Sequence, residues 1–134
     1  MGKKFWISVV AMFVLSMLLG MVVHGMMLGP EYMKLTALFR PESDQQSHVW
    51  AMLLAHVFLA FSFTWIYLRG VEPKPFLGQG IRYGLVIALL TALPAYLIYY
   101  AVQPMPEALV AKQIIFDTIG YMVMGVVLAW INRT

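Results

Sequence analysis

Four long apolar runs are the feature that most constrains this chain. They cover about residues 6–28, 49–68, 83–102 and 108–131. A helix needs roughly 20 apolar residues to cross about 30 Å of hydrocarbon, and all four runs reach that length. The alternation typical of barrel strands is absent, and helices satisfy their own backbone hydrogen bonds in lipid. We therefore predict an all-α fold, an integral membrane antiparallel four-helix bundle that forms a single domain over residues 1–134.

The composition excludes several classes of protein. Of the 134 residues, 62% are hydrophobic and 11% are charged, whereas a soluble domain is about a quarter charged. A small domain has too much surface for so few charges to cover, which excludes a soluble monomer, a disordered tail and a nucleic-acid-binding module. The absence of cysteine excludes disulfides, thiolate metal sites and cysteine nucleophiles. The partners expected are the lipid bilayer and other membrane helices, with no nucleic acid.

The cations indicate how the spans are oriented. Those on one side are Lys3, Lys4, Arg69, Lys74, Arg82 and Arg133. The other side has Lys34 and Arg40, diluted by three acidic residues of the first loop. The positive-inside rule then places both termini and the 69–82 loop in the cytoplasm. The first run follows two lysines but is too long for a signal peptide and lacks its cleavage site, so we interpret it as a span.

The loops and the third span carry local signals. The first loop starts with Gly-Pro-Glu at 29–31, continues with apolar residues at helical spacing and stops at Pro41. This pattern predicts a short amphipathic helix lying on the outer membrane surface. The 69–82 loop is rich in glycine and proline and is expected to be irregular. Pro94 should kink the third span, because proline removes a backbone donor.

Small residues at four-residue spacing predict where the helices touch. They are Ser16 and Gly20, then Ala51 and Ala55, then Gly84, Ala88 and Ala92, and finally Gly125 and Ala129. Membrane helices pack by close approach of their backbones, so each span should present one such face to a neighbour.

Ionisable side chains at membrane depth are the only chemical lead. They are His24, His56, Lys112 and Asp117, with His48 at the outer boundary. Inserting a charged side chain at the centre of a span costs roughly 2.5–3.5 kcal/mol, so each of these residues is expected to have a structural or functional role. All five lie in the outer half of the bilayer or at its outer surface. Lys112 and Asp117 are five residues apart and make poor partners, and we expect Lys112 to extend towards water.

Two functional interpretations of this set stay open beside a structural one. His24 and His56 could bind haem or copper, with Met21, Met27 or Met52 as further ligands. Alternatively, Gln113, Asp117 and Tyr121 share a face of the fourth helix and could form a polar, proton-linked network. In that case His56, at the depth of Asp117, is the expected partner of the carboxylate. The structural interpretation is a hydrogen-bond network that sets helix register.

Several short elements resemble a group of small, uncharacterised four-helix bacterial inner-membrane proteins. They are His24-Gly25 at the end of the first span, then Tyr32, Thr36 and Arg40-Pro41, then residues 80–85 (GIRYGL), Pro106 and a glycine-containing last span. The resemblance covers most of the chain. It implies a location in the bacterial inner membrane and adds weight to His24, but it carries over no catalytic residue.

Three hypotheses for function follow. The first is a non-enzymatic membrane protein that is a homo-oligomer or an accessory subunit of a membrane complex, because no reaction motif is present. The second is a haem- or copper-binding membrane protein that uses His24 and His56. The third is a small transporter or lipid-binding protein with a polar cavity around Asp117.

Overall fold

The computed structural model describes residues 1–133, of which no segment is a strand, and the chain is 80% helical. The helices are α1 (Lys3–Gly20), which continues directly into a π-helical segment (Met21–Met27), then α2 (Gly29–Met33), α3 (Glu42–Gln46), α4 (Val49–Arg69), α5 (Phe76–Leu90), α6 (Ala92–Val102) and α7 (Glu107–Ile131). The predicted all-α fold class is therefore confirmed.

Four of these stretches are long and apolar enough to cross a membrane, which confirms the number of predicted spans. They are Lys3–Met27, Val49–Arg69, Phe76–Val102 and Glu107–Ile131. The third starts at Phe76, seven residues before the expected position, so the irregular loop that joins it to the second span shrinks to residues 70–75. Two residues of 76–82 make contacts that the sequence does not reveal, since Gln79 bonds the Glu72 backbone and Gly80 lies against α7.

Two glycines of α5 lie directly against the backbone of α7. A Cβ atom on Gly80 would lie 2.6 Å from the carbonyl oxygen of Gly125, and one on Gly84 would lie 2.5 Å from the Cα atom of Met122. Only glycine permits such contact between two helix backbones. Gly84 and Gly125 were predicted packing residues, whereas Gly80 was assigned to the loop.

The third span is interrupted where Pro94 predicted a kink. The helical pattern stops at Leu90 and resumes at Ala92. Pro94 has no N–H to donate to the carbonyl four residues earlier, so the turn before it opens. The Thr91 hydroxyl stabilises this point by donating to the Ile87 carbonyl at 2.7 Å.

The buried apolar residues form two clusters. The larger one joins all four spans and consists of Met12, Ala60, Phe63, Tyr67, Ile87, Met124, Leu128 and Ala129. The smaller one consists of Val23, Leu28, Met105, Leu109 and Val110 and lies at the end of the molecule that carries the first loop.

A short helix begins at Gly29 in the first loop, as the Gly-Pro-Glu signal predicts, but it does not continue to Pro41. Helix α2 ends at Met33, turns follow, and a separate α3 begins at Glu42. The apolar side chains Leu35, Leu38 and Phe39 pack against the smaller cluster. The helix is therefore shorter than the apolar spacing predicts, because turns after Met33 fold these side chains onto the spans. Its place at the membrane surface stays a prediction.

Candidate functional site

The first span changes its helix type at the residue that the sequence analysis singled out. His24 lies in the π-helical segment Met21–Met27, where the Leu28 N–H bonds the Val23 carbonyl at 2.8 Å, five residues earlier. Such segments are rare and occur often at functional sites. The segment contains no proline or other signal in the sequence that would predict this change of helix type.

His24 stands at the centre of a polar cluster built by four elements. Its Nδ1 atom lies 2.7 Å from the hydroxyl of Tyr32 in α2, and its Nε2 atom lies 2.9 Å from Oδ1 of Asp117 in α7. The Tyr96 hydroxyl of α6 donates to Oδ2 of the same carboxylate. The side chains of His24 and Asp117 are 33% and 22% exposed, so the cluster is only partly buried. The first loop is thereby tied to the third and fourth spans.

The hydrogen bonds form a chain with one consistent direction. With Asp117 ionised, the carboxylate only accepts, so His24 Nε2 carries the proton and His24 Nδ1 accepts from Tyr32. The Tyr32 oxygen in turn accepts from Nε2 of Gln113 at 3.1 Å. Burial raises the pKa of Tyr32, which keeps its hydroxyl protonated and able to donate. The direction runs from Gln113 through Tyr32 and His24 to Asp117.

Gln113 carries one further polar atom beside this chain of hydrogen bonds. Gln113 is 5% exposed, and its Oε1 atom is buried without a hydrogen-bond partner among the described residues.

The predicted pairing of His56 with Asp117 was wrong. His56 Nδ1 lies 2.9 Å from the hydroxyl of Ser16, which donates to the Phe13 carbonyl at 2.9 Å. A Cβ atom on Gly20 would lie 3.6 Å from the His56 ring. Helix α4 packs mainly against α1, so a histidine at this depth meets α1 and not α7. The small residues Ser16 and Gly20 mark the place that the ring occupies.

The structure does not bring His24 and His56 into a shared ligand set. The two ring nitrogens of His24 are already engaged, Nδ1 with Tyr32 and Nε2 with Asp117. Over residues 1–133, no group of three or more histidine, cysteine or acidic side chains could hold a metal ion. The methionines considered as further ligands, Met21, Met27 and Met52, are each about half exposed on the outside of the helices. Haem or copper binding by His24 and His56 stays a prediction.

The predicted polar network differs in its membership. Gln113 and Asp117 both belong to the cluster through Tyr32 and His24. Tyr121 lies one turn further along α7 and stacks on Phe63, with 6.2 Å between ring centroids. Tyr32 and Tyr96 are members that the sequence does not predict, because Tyr32 lies in the first loop outside the spans and no pattern in the sequence marks Tyr96.

Lys112 extends out of the fourth span to meet the first loop. Its Nζ atom lies 2.5 Å from Oε1 of Glu31, and the two side chains are 47% and 32% exposed. Exposed ion pairs contribute little to the free energy of unfolding, because water screens the attraction between the charges. Replacement Lys112→Gln should lower the free energy of unfolding by at most about 1 kcal/mol. Chemical unfolding in detergent measures this, and a loss several times larger would contradict the solvent-screened description.

Comparison with known proteins identifies the family. Residues 7–129 match the family described as "Protein of unknown function (DUF1761)", so the chain belongs to it. This confirms the resemblance to an uncharacterised family of small four-helix proteins. The chain matches no curated protein and no solved structure.

Proposed function

We propose that this member of the DUF1761 family is a non-enzymatic membrane protein that works by associating with other helices, as a homo-oligomer or as an accessory subunit of a membrane complex. The observation that carries the proposal is how the polar side chains at membrane depth are used. His24, Asp117 and Tyr96 bond to one another and to Tyr32. Side chains held in this way favour a role in fixing helix positions over a role in catalysis.

The proposal includes a definite membrane arrangement. The four spans form an antiparallel bundle in a bacterial inner membrane, with both termini and the 70–75 loop in the cytoplasm. The charge asymmetry of the loops supports this orientation. The segment that contains α2 then lies at the outer membrane interface, where the apolar packing of Leu35, Leu38 and Phe39 against the spans holds it in place.

An apolar groove supports association through the first span. Trp6, Val10, Val14 and Leu18 follow at four-residue steps along α1, and Val127 of α7 also lines this shallow groove. The groove has a volume of about 830 Å³, and Val14 is 49% exposed. An open apolar stripe of this length can pack against the helix of a second copy of the chain, as ridges of one helix fit grooves of another.

Filling the groove should abolish self-association. We expect Val14→Trp to convert the oligomer to monomer, because the indole occupies the space into which a partner helix would pack. Ile98→Trp is the matched control, since Ile98 is 62% exposed on the third span and lines no part of the groove. Chemical cross-linking and mass measurement in lipid nanodiscs report the oligomeric state. A wild-type protein that stays monomeric and cross-links to no partner in its native membrane would refute the proposal.

The contacts of Asp117 support the hypothesis of a small transporter or lipid-binding protein with a polar cavity less well than they support association. Both carboxylate oxygens already accept hydrogen bonds, from His24 and from Tyr96. A substrate would have to displace one of these donors before Asp117 could bind it. The contacts therefore favour the association hypothesis.

A further inference from the structure

A cleft opens between the end of α4 and the start of α5. It lies at the opposite end of the molecule from the first loop and the His24 cluster. Its volume is about 360 Å³. Three charged side chains, Glu72, Lys74 and Arg82, line its polar part, and Ile66 and Val86 line its apolar part. Arg82 and Val86 are one turn apart on α5, so the cleft changes from polar to apolar along the direction of the span.

The polar part of the cleft is held in shape by a buried glutamine. Gln79 is 8% exposed, and its amide bonds the backbone of Glu72 twice. The Glu72 N–H donates to Oε1 of Gln79 at 2.8 Å, and Nε2 of Gln79 donates to the Glu72 carbonyl at 3.1 Å. In the wall of the cleft, Tyr83 packs edge-on against Tyr67 with 5.2 Å between ring centroids and donates to the Phe63 carbonyl. The connecting loop is thus fixed to both spans.

The charges of the cleft leave one cation in excess. Lys74 forms an ion pair with Glu72, and the hydrogen bond from Lys74, together with the charges of Lys74 and Arg82, holds the pKa of Glu72 below its usual range. Glu72 is therefore ionised and neutralises a single cation. Over residues 1–133, Arg82 has no acidic side chain within ion-pair distance. An anionic group complements this set.

We propose that the cleft binds an anionic phospholipid, with its phosphate on Arg82 and Lys74 and one acyl chain along Ile66 and Val86. A guanidinium pairs with phosphate through two parallel hydrogen bonds. Basic pockets between membrane helices bind lipid headgroups. The apolar continuation of the cleft distinguishes a lipid from a free phosphate ion, which would contact the polar part alone.

Native mass spectrometry of the full chain tests the proposal by comparing phosphatidylglycerol with phosphatidylcholine of the same acyl chains. We expect phosphatidylglycerol to bind about tenfold more tightly, and Arg82→Gln to lower its affinity about tenfold. Arg69→Gln is the matched control, because it removes the same charge at the same end of the spans. The Arg69 guanidinium lies over the Trp65 ring, 4.5 Å from its centroid, and does not line the cleft. This control should change the affinity less than about twofold.

A second variant tests the apolar part and leaves all charges in place. Val86→Trp should abolish tight phosphatidylglycerol binding, because the indole fills the space for the acyl chain, and it decides the question if Arg82→Gln fails to fold. The proposal is overturned if phosphatidylcholine binds as tightly as phosphatidylglycerol, or if Arg82→Gln and Arg69→Gln behave alike. It is also overturned if Val86→Trp still binds the lipid tightly, or if millimolar inorganic phosphate displaces it.

Discussion

Replacement of Gly84 by alanine should destabilise the protein by about 3 kcal/mol, the upper end of the usual cost of overpacking. The added Cβ atom would lie 2.5 Å from the Cα atom of Met122 and closer still to the carbonyl oxygen of Tyr121. Both are backbone atoms of α7, so neither can rotate away as a side chain could. The only relief is separation of α5 from α7. Unfolding in detergent with increasing SDS, followed by far-UV circular dichroism, measures the loss.

Gly78 provides the control on the same helix. A Cβ atom at Gly78 would meet nothing within 4 Å. Alanine favours helix over glycine by roughly 1 kcal/mol, so Gly78→Ala should leave stability unchanged or raise it slightly. The two variants differ in packing and share the same chemical change. Equal losses in both would mean that α5 and α7 do not meet at Gly84.

The spans were predictable from sequence, but their exact limits were not. Length and apolarity fix the number of spans because the bilayer imposes both. The start of the third span at Phe76 was missed because Gln79, Gly80 and Arg82 resemble loop residues. Their roles are tertiary, since Gln79 bonds the Glu72 backbone and Gly80 touches α7. A hydropathy pattern carries no information on either contact.

The candidate site was predicted in part for a related reason. The cost of a polar group at membrane depth singled out His24 and Asp117 correctly as residues that need partners. Depth along a helix does not tell which neighbour a side chain faces, so the carboxylate was paired with His56 in place of His24. The π-helical segment Met21–Met27 adds to this, because residues within it, His24 among them, do not follow the spacing of an α-helix.

Replacement of Asp117 by alanine should cost about 2 kcal/mol of stability. It removes the acceptor shared by His24 and Tyr96, and hydrogen bonds to a charged group contribute about 1.5–3 kcal/mol. Hydrogen bonds between membrane helices are worth about 0.6 kcal/mol on average, which moderates the estimate. The loss should exceed that of Lys112→Gln, whose ion pair is more exposed. SDS unfolding compares the two variants directly.

A double variant shows whether the cost comes from the interaction itself. In Asp117→Ala, His24 and Tyr96 are left with donors that have lost their acceptor, and this penalty accounts for much of the loss. Replacing His24 by phenylalanine in the Asp117→Ala protein removes one orphaned donor together with the acceptor. The double variant should therefore lose less stability than the sum of the losses in His24→Phe and Asp117→Ala, by about 1 kcal/mol or more. Strictly additive losses would mean that the His24–Asp117 contact does not hold the first span to the fourth.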